Sequence, residues 1–86
     1  NEPLIKQIIR SATSVGANYL EANGASSKKD FCNKIYICKK EAQETRHWLR
    51  MLSATTSEAS KEIDVLKDES QQLSMIFHKI ASSSKP

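Results

Sequence analysis

Eighty-six residues, 38% of them hydrophobic and 27% charged, with a net charge of +3, suit a single small domain, and so mild a charge leaves any preference for anionic partners to local clustering. Two Gly and two Pro are too few for the turns of a sheet protein, and 6% aromatic residues are too few for a base-stacking platform. No apolar run approaches the roughly 18 to 20 residues of a membrane span, and no signal-peptide pattern opens the chain.

The spacing predicts a first helix over 3–22, opened near Pro3 and stopped by Asn23-Gly24. Its apolar stripe is Ile5, Ile8, Ala12, Val15, Tyr19 and Ala22, at steps of three and four. A second helix is expected over 28–53, with Ser27 as cap and Asp30 as the acidic member of a capping box. It carries the seam Phe31, Ile35, Cys38, Ala42, Thr45, Leu49 and Leu52. Thr55-x-x-Glu58 is a further capping-box candidate, introducing a third helix over 57–82. Its seam is Ala59, Ile63, Leu66, Ser70, Leu73, Phe77 and Ile80, and 83–86 is expected to be a disordered tail. Three long helices joined by short loops make an all-α fold, an antiparallel up-and-down helical bundle over 1–82.

Some apolar surface lies off these seams. Ile37 and Trp48 sit about 100° to one side of the second seam, and Val65 and Ile76 form a corresponding flank on the third helix. Three helices this short are marginally stable alone, so the flanks are expected to be covered by a subunit neighbour or by a further helix. Cys32 and Cys38, about 120° apart on one helix, cannot bridge and suit a reducing, cytoplasmic setting as small apolar residues.

Candidate chemistry is sparse. Glu44 and His47 have the Glu-x-x-His spacing of a dimetal bundle, but His78 is preceded by Met75 where the second motif needs a carboxylate. There is no phosphate-binding glycine loop and no activated nucleophile. We therefore expect no metal, cofactor, small-molecule substrate or enzymatic activity. The basic residues are more informative: 27–53 carries seven basic and three acidic side chains, whereas 54–82 carries three and five. Lys29, Tyr36, Lys39, Arg46 and Arg50 share a stripe clear of the core seam, the footprint of a phosphate-backbone binder. A basic helix that only pairs with its acidic neighbour would read the same way.

Three strings carry a resemblance. Arg10-Ser11-Ala12-Thr13-Ser14-Val15-Gly16-Ala17-Asn18-Tyr19-Leu20-Glu21-Ala22 resembles the R-S-x-x-S-[IV]-x-A-N-x-x-E-A segment of the four-helix-bundle proteins of 23S rRNA intervening sequences. Ala25-Ser26-Ser27-Lys28-Lys29-Asp30-Phe31 resembles that family's S-x-K-D-F helix start, and Lys40-Glu41-Ala42-Gln43-Glu44-Thr45-Arg46-His47-Trp48-Leu49 its K-E-A-x-E-T-x-x-W-L stretch. The resemblance implies a small bacterial cytoplasmic protein of four antiparallel helices, with the family's first helix missing before Pro3. A related branch, the accessory protein of diversity-generating retroelements, implies a basic homopentamer that binds nucleic acid and a protein partner.

Asn18 and Glu21 are the polar members of the first string. They are expected to act structurally, as interhelical hydrogen-bond partners that include Glu41 or Glu44 through the Asn18 amide. The expected function is a self-associating bundle that binds RNA or a ribonucleoprotein through Lys29, Tyr36, Lys39, Arg46 and Arg50. The alternative is a protein-interaction scaffold, using Ile37, Trp48, Val65 and Ile76 and no nucleic acid.

Overall fold

The computed structural model describes residues 2–85. It contains α1 (Glu2–Asn23), α2 (Lys28–Thr55) and α3 (Ser60–Ser83), and no strand among the described residues. The last residue of the expected tail, Pro86, lies outside them, while Ser83 still belongs to α3. At about 1.5 Å per residue the 28 residues of α2 account for nearly all of the 45 Å long axis.

The helix ends follow local chemistry. Ser27 Oγ accepts from the Asp30 N–H at 3.0 Å, and its carbonyl accepts from Phe31 at 2.9 Å, so α2 starts where its cap dictates. Gly24 closes α1 by donating to the Glu21 carbonyl at 3.1 Å, without adopting a positive φ. The second capping box does not form. Thr55 stays in α2 and donates back to the Leu52 carbonyl at 2.9 Å, so its hydroxyl is spent before α3 begins. Helix α3 instead starts at Ser60 behind Ala59, which has φ 55° and offers no side-chain cap.

A left-handed alanine costs about 1 kcal/mol or slightly more, because its Cβ crowds the following carbonyl. Ala59→Gly is therefore expected to raise the unfolding free energy by about 1 kcal/mol. A urea midpoint unchanged or lowered in that variant would contradict the left-handed assignment.

Helix α2 packs against both neighbours, whereas no Cα of α1 comes within 8 Å of α3 among the described residues. The shortest axis is 13 Å, close to the diameter of one helix, so the three rods form a bowed layer with α2 in the middle. Side chains alone cross from α1 to α3, as where the Tyr19 and Phe77 rings meet at 6.3 Å. The expected seam of α2 is its buried face: Ile35 and Cys38 are wholly enclosed, with Ala42, Thr45 and Leu49 buried beyond them.

The outer helices turn differently from expectation. On α1 the buried positions are Leu4, Ser11 and Ala22, while Ile5, Ala12 and Tyr19 are exposed. On α3, Ser74 and Ala81 join Ile63, Ser70 and Phe77, and Leu66 and Leu73 are left open. Each outer helix has a single neighbour, and small side chains allow the closest approach to it. Their hydroxyls are satisfied locally, Ser70 by the Leu66 carbonyl and Ser74 by the Gln71 carbonyl, each at 2.8 Å. The bulkier apolar residues are left to one side.

Both cysteines are unbridged and buried. Cys32 Sγ donates to the Ala81 carbonyl at 3.4 Å and Cys38 Sγ to the Val15 carbonyl at 3.6 Å, so each ties α2 to a different neighbour. Burial pushes the Cys38 thiol above its ordinary value of 9.0, outweighing a backbone hydrogen bond that acts the other way.

Candidate nucleic-acid interface

The charges of α2 are sorted by face. On the side turned to α1, Glu41 is nearly enclosed, with its side chain 9% exposed. Arg10 Nη1 reaches both its oxygens at 3.4 Å, and Ser14 Oγ donates to Oε2 at 3.0 Å. Arg10 Nη2 also binds Glu44 at 3.0 Å, and Lys34 binds Glu21 at 3.2 Å. A buried carboxylate is tolerable only with such donors around it.

The Asn18 amide does not reach Glu41 or Glu44 itself. It donates to the Ser14 carbonyl at 2.9 Å and to Ser14 Oγ at 3.1 Å, and the serine passes the link on to Glu41. Glu21 stands apart with Lys34. Thr45 completes the seam polar contacts, its hydroxyl lying 2.7 Å from Ser11 Oγ and 2.8 Å from the Glu41 carbonyl, with one proton to serve either.

With Glu41 and Glu44 drawn to α1, the solvent face of α2 is left cationic. Lys29, Tyr36, Lys40, Gln43, His47 and Arg50 follow one another at helical spacing, and all are exposed. Lys39 and Arg46 lie half-buried at the border with α3. The expected stripe thus divides into an open line through Lys29, Tyr36 and Arg50 and an edge through Lys39 and Arg46. None of Lys29, Lys39, Arg46 and Arg50 enters an ion pair among the described residues. The acidic residues of α3 do not reach across: Asp64 pairs with Lys67 at 3.2 Å and Asp68 accepts from Gln72 at 2.8 Å, both within the helix.

The apolar flanks do not meet as one patch. Ile37 and Trp48 are half-buried on the side of α2 that carries Glu41 and Glu44 toward α1, whereas Val65 and Ile76 are exposed on α3, away from its buried line. Each flank is set by its own helix phase, and the intervening α2 face separates them. The Trp48 indole N–H is enclosed without an acceptor, and its ring stands edge-on to His47 at 5.0 Å. Glu44 is bound to Arg10, and no three potential metal ligands gather among the described residues.

A further apolar feature is a groove of about 320 Å³ on the concave side of the layer. Ile8, Ala12 and Val15 of α1 form one wall, Leu66 and Leu73 of α3 the other, and Ala42 and Leu49 lie on its floor. Sequence periodicity identifies these residues as apolar, but the missing contact between α1 and α3 is what leaves them as a groove.

Comparison with known proteins settles the family. Residues 2–79 match the family model described as 23S rRNA-intervening sequence protein. The chain belongs to that family. A crystal structure of a protein of unknown function from the S23 ribosomal protein family of Bacteroides thetaiotaomicron VPI-5482 is similar, at 38% identity and a TM-score of 0.85. The match covers 91% of this chain and 72% of the neighbour's. No curated protein matches.

All three strings quoted for the resemblance fall inside the matched residues. Within them, Arg10 and Ser14 anchor Glu41 but were not singled out from the sequence, although Arg10, Ser14 and Asn18 recur every four residues as one helix edge. Lys40 and His47 belong to the cationic face by the same spacing rule. His78 of α3, 3.1 Å from Lys39, depends on interhelical register, which no spacing within a helix discloses.

Proposed function

We propose that this member of the 23S rRNA-intervening sequence protein family is a non-enzymatic, self-associating cytoplasmic bundle that binds structured RNA through the solvent face of α2. The observation that carries the reading is the sorting of charge. Glu41 and Glu44 are engaged by Arg10 on the α1 side, and Lys29, Lys39, Arg46 and Arg50 have no carboxylate partner among the described residues. Such a face releases condensed counterions on meeting a phosphate backbone, and the release supplies affinity without base recognition. Tyr36 lies in the middle of the face as a stacking surface for an unpaired base.

A filter-binding titration with labelled ribosomal RNA tests this. Four phosphate contacts give a slope of about −2.8 to −3.6 in log affinity against log salt, a loss of about 50- to 150-fold between about 50 and 200 mM. No binding, or binding indifferent to salt, would overturn the reading.

Self-association is supported by the open groove and by Val65 and Ile76, which are 56% and 53% exposed. Exposed apolar surface of this kind offers a docking place for another polypeptide. The family resemblance suggests five copies, with a mass of about 48 kDa from a 9.6 kDa chain. Light scattering that found a single chain would remove self-association from the proposal.

A further inference from the structure

We infer that Lys39 of α2 and His78 of α3 form a two-helix contact for one RNA phosphate, and that a proton taken up by His78 strengthens it. The inference rests on the RNA reading above and extends the contact surface beyond α2. Lys39 Nζ stands 3.1 Å from His78 Nδ1, the one side-chain to side-chain hydrogen bond between α2 and α3 among the described residues. An ammonium has only donors, so Nδ1 is the accepting partner in this contact. His78 is exposed, so the pair opens to solvent on the α3 border of the cationic face.

No acid among the described residues pairs with Lys39 or His78. Within one turn of His78 the only charged group on α3 is Lys79. On α2 the titratable groups within a turn of Lys39 are Tyr36, Cys38, Lys40 and Glu41, with Cys32 two turns back. Cys32 and Cys38 are buried against backbone carbonyls, and Glu41 is held on the α1 side by Arg10 and Ser14. The neighbours that remain are a phenol and two more cations.

Histidine is the side chain that changes charge between about pH 5 and pH 8. Protonation of Nδ1 removes the acceptor for Lys39 and sets two cations side by side. A phosphate oxygen accepting from both relieves that repulsion, because the anion supplies the charge no carboxylate provides. The RNA-bound state therefore holds more protons than the free state, and binding tightens as pH falls.

RNA affinity measured against salt near pH 8 and near pH 5.5 tests the inference in the His47→Gln background, which removes the other histidine of the cationic face, alone and combined with His78→Gln or His78→Arg. Helix content by circular dichroism checks that each exposed-site variant is folded. In the His47→Gln background the slope steepens by about 0.7 to 0.9 at the lower pH, the increment of one added cationic contact. Adding His78→Gln abolishes that increment. Adding His78→Arg carries the steeper slope at both pH values. A flat response in the background chain, or an increment that survives His78→Gln, overturns this inference and leaves salt-dependent RNA binding standing. Absence of RNA binding at either pH overturns both.

Discussion

Arg10→Met is expected to lower the unfolding free energy by about 1.5 to 3 kcal/mol, the range for removing a hydrogen bond to a charged group. The arginine itself is half in solvent, with its side chain 47% exposed, and a surface pair of that kind would contribute little. Its partner decides the size of the effect. Glu41 is nearly enclosed between α1 and α2, and without Arg10 it keeps only the Ser14 hydroxyl as a side-chain donor among the described residues. The carboxylate then stays desolvated and poorly paired, which costs more than the original bond gained. Two comparisons isolate that cause. Arg10→Met with Glu41→Leu removes the stranded charge and recovers most of the loss, whereas Glu44→Gln, at the exposed end of the network, changes stability by less than about 0.5 kcal/mol. Urea unfolding reads all three. A wild-type midpoint in Arg10→Met would mean that Glu41 does not depend on it.

The largest effect on binding is expected from Arg46→Glu with Arg50→Glu. Each arginine lost as a phosphate contact reduces the salt slope by about one, so the pair should flatten it by about two, with further weakening from the introduced repulsion. Neither arginine is paired with a carboxylate among the described residues, so the reversal strands no buried acid and the helices should retain their content. Lys61→Glu, an exposed change on α3, is the control and should leave the slope within experimental scatter. An unchanged slope in the double variant would place the RNA, if bound, on another surface.

The helices were legible in the sequence because their signals are local. Ser27 caps α2 as its spacing with Asp30 predicts, and the α2 seam from Ile35 to Leu49 is buried because that helix has neighbours on both sides. The same periodicity placed only part of the buried line on α1 and α3, where Ala22, Ile63, Ser70 and Phe77 are buried as expected. An apolar arc broad enough for two neighbours does not say which part meets the one that is present, and Ser11, Ser74 and Ala81 took the close contacts while Leu66 and Leu73 lined the groove. Thr55 misled for a related reason, since its hydroxyl had a carbonyl within its own helix to satisfy.

At the candidate site, the stripe from Lys29 to Arg50 was readable as residues off the seam, but not its division into an open line and a half-buried edge. The role of Ser14 between Asn18 and Glu41 and the pairing of Lys39 with His78 both arise from interhelical register. Register is set by packing across helices and leaves no mark at helical spacing.

Lysine acetylation with and without bound ribosomal RNA, read residue by residue by mass spectrometry, tests the cationic face most directly. Lys29, Lys39 and Lys40 should be shielded by the RNA, while Lys6 on α1 and Lys61 on α3, both exposed and off that face, continue to react. Equal modification of all five, or shielding confined to Lys6 and Lys61, would contradict phosphate binding by the solvent face of α2.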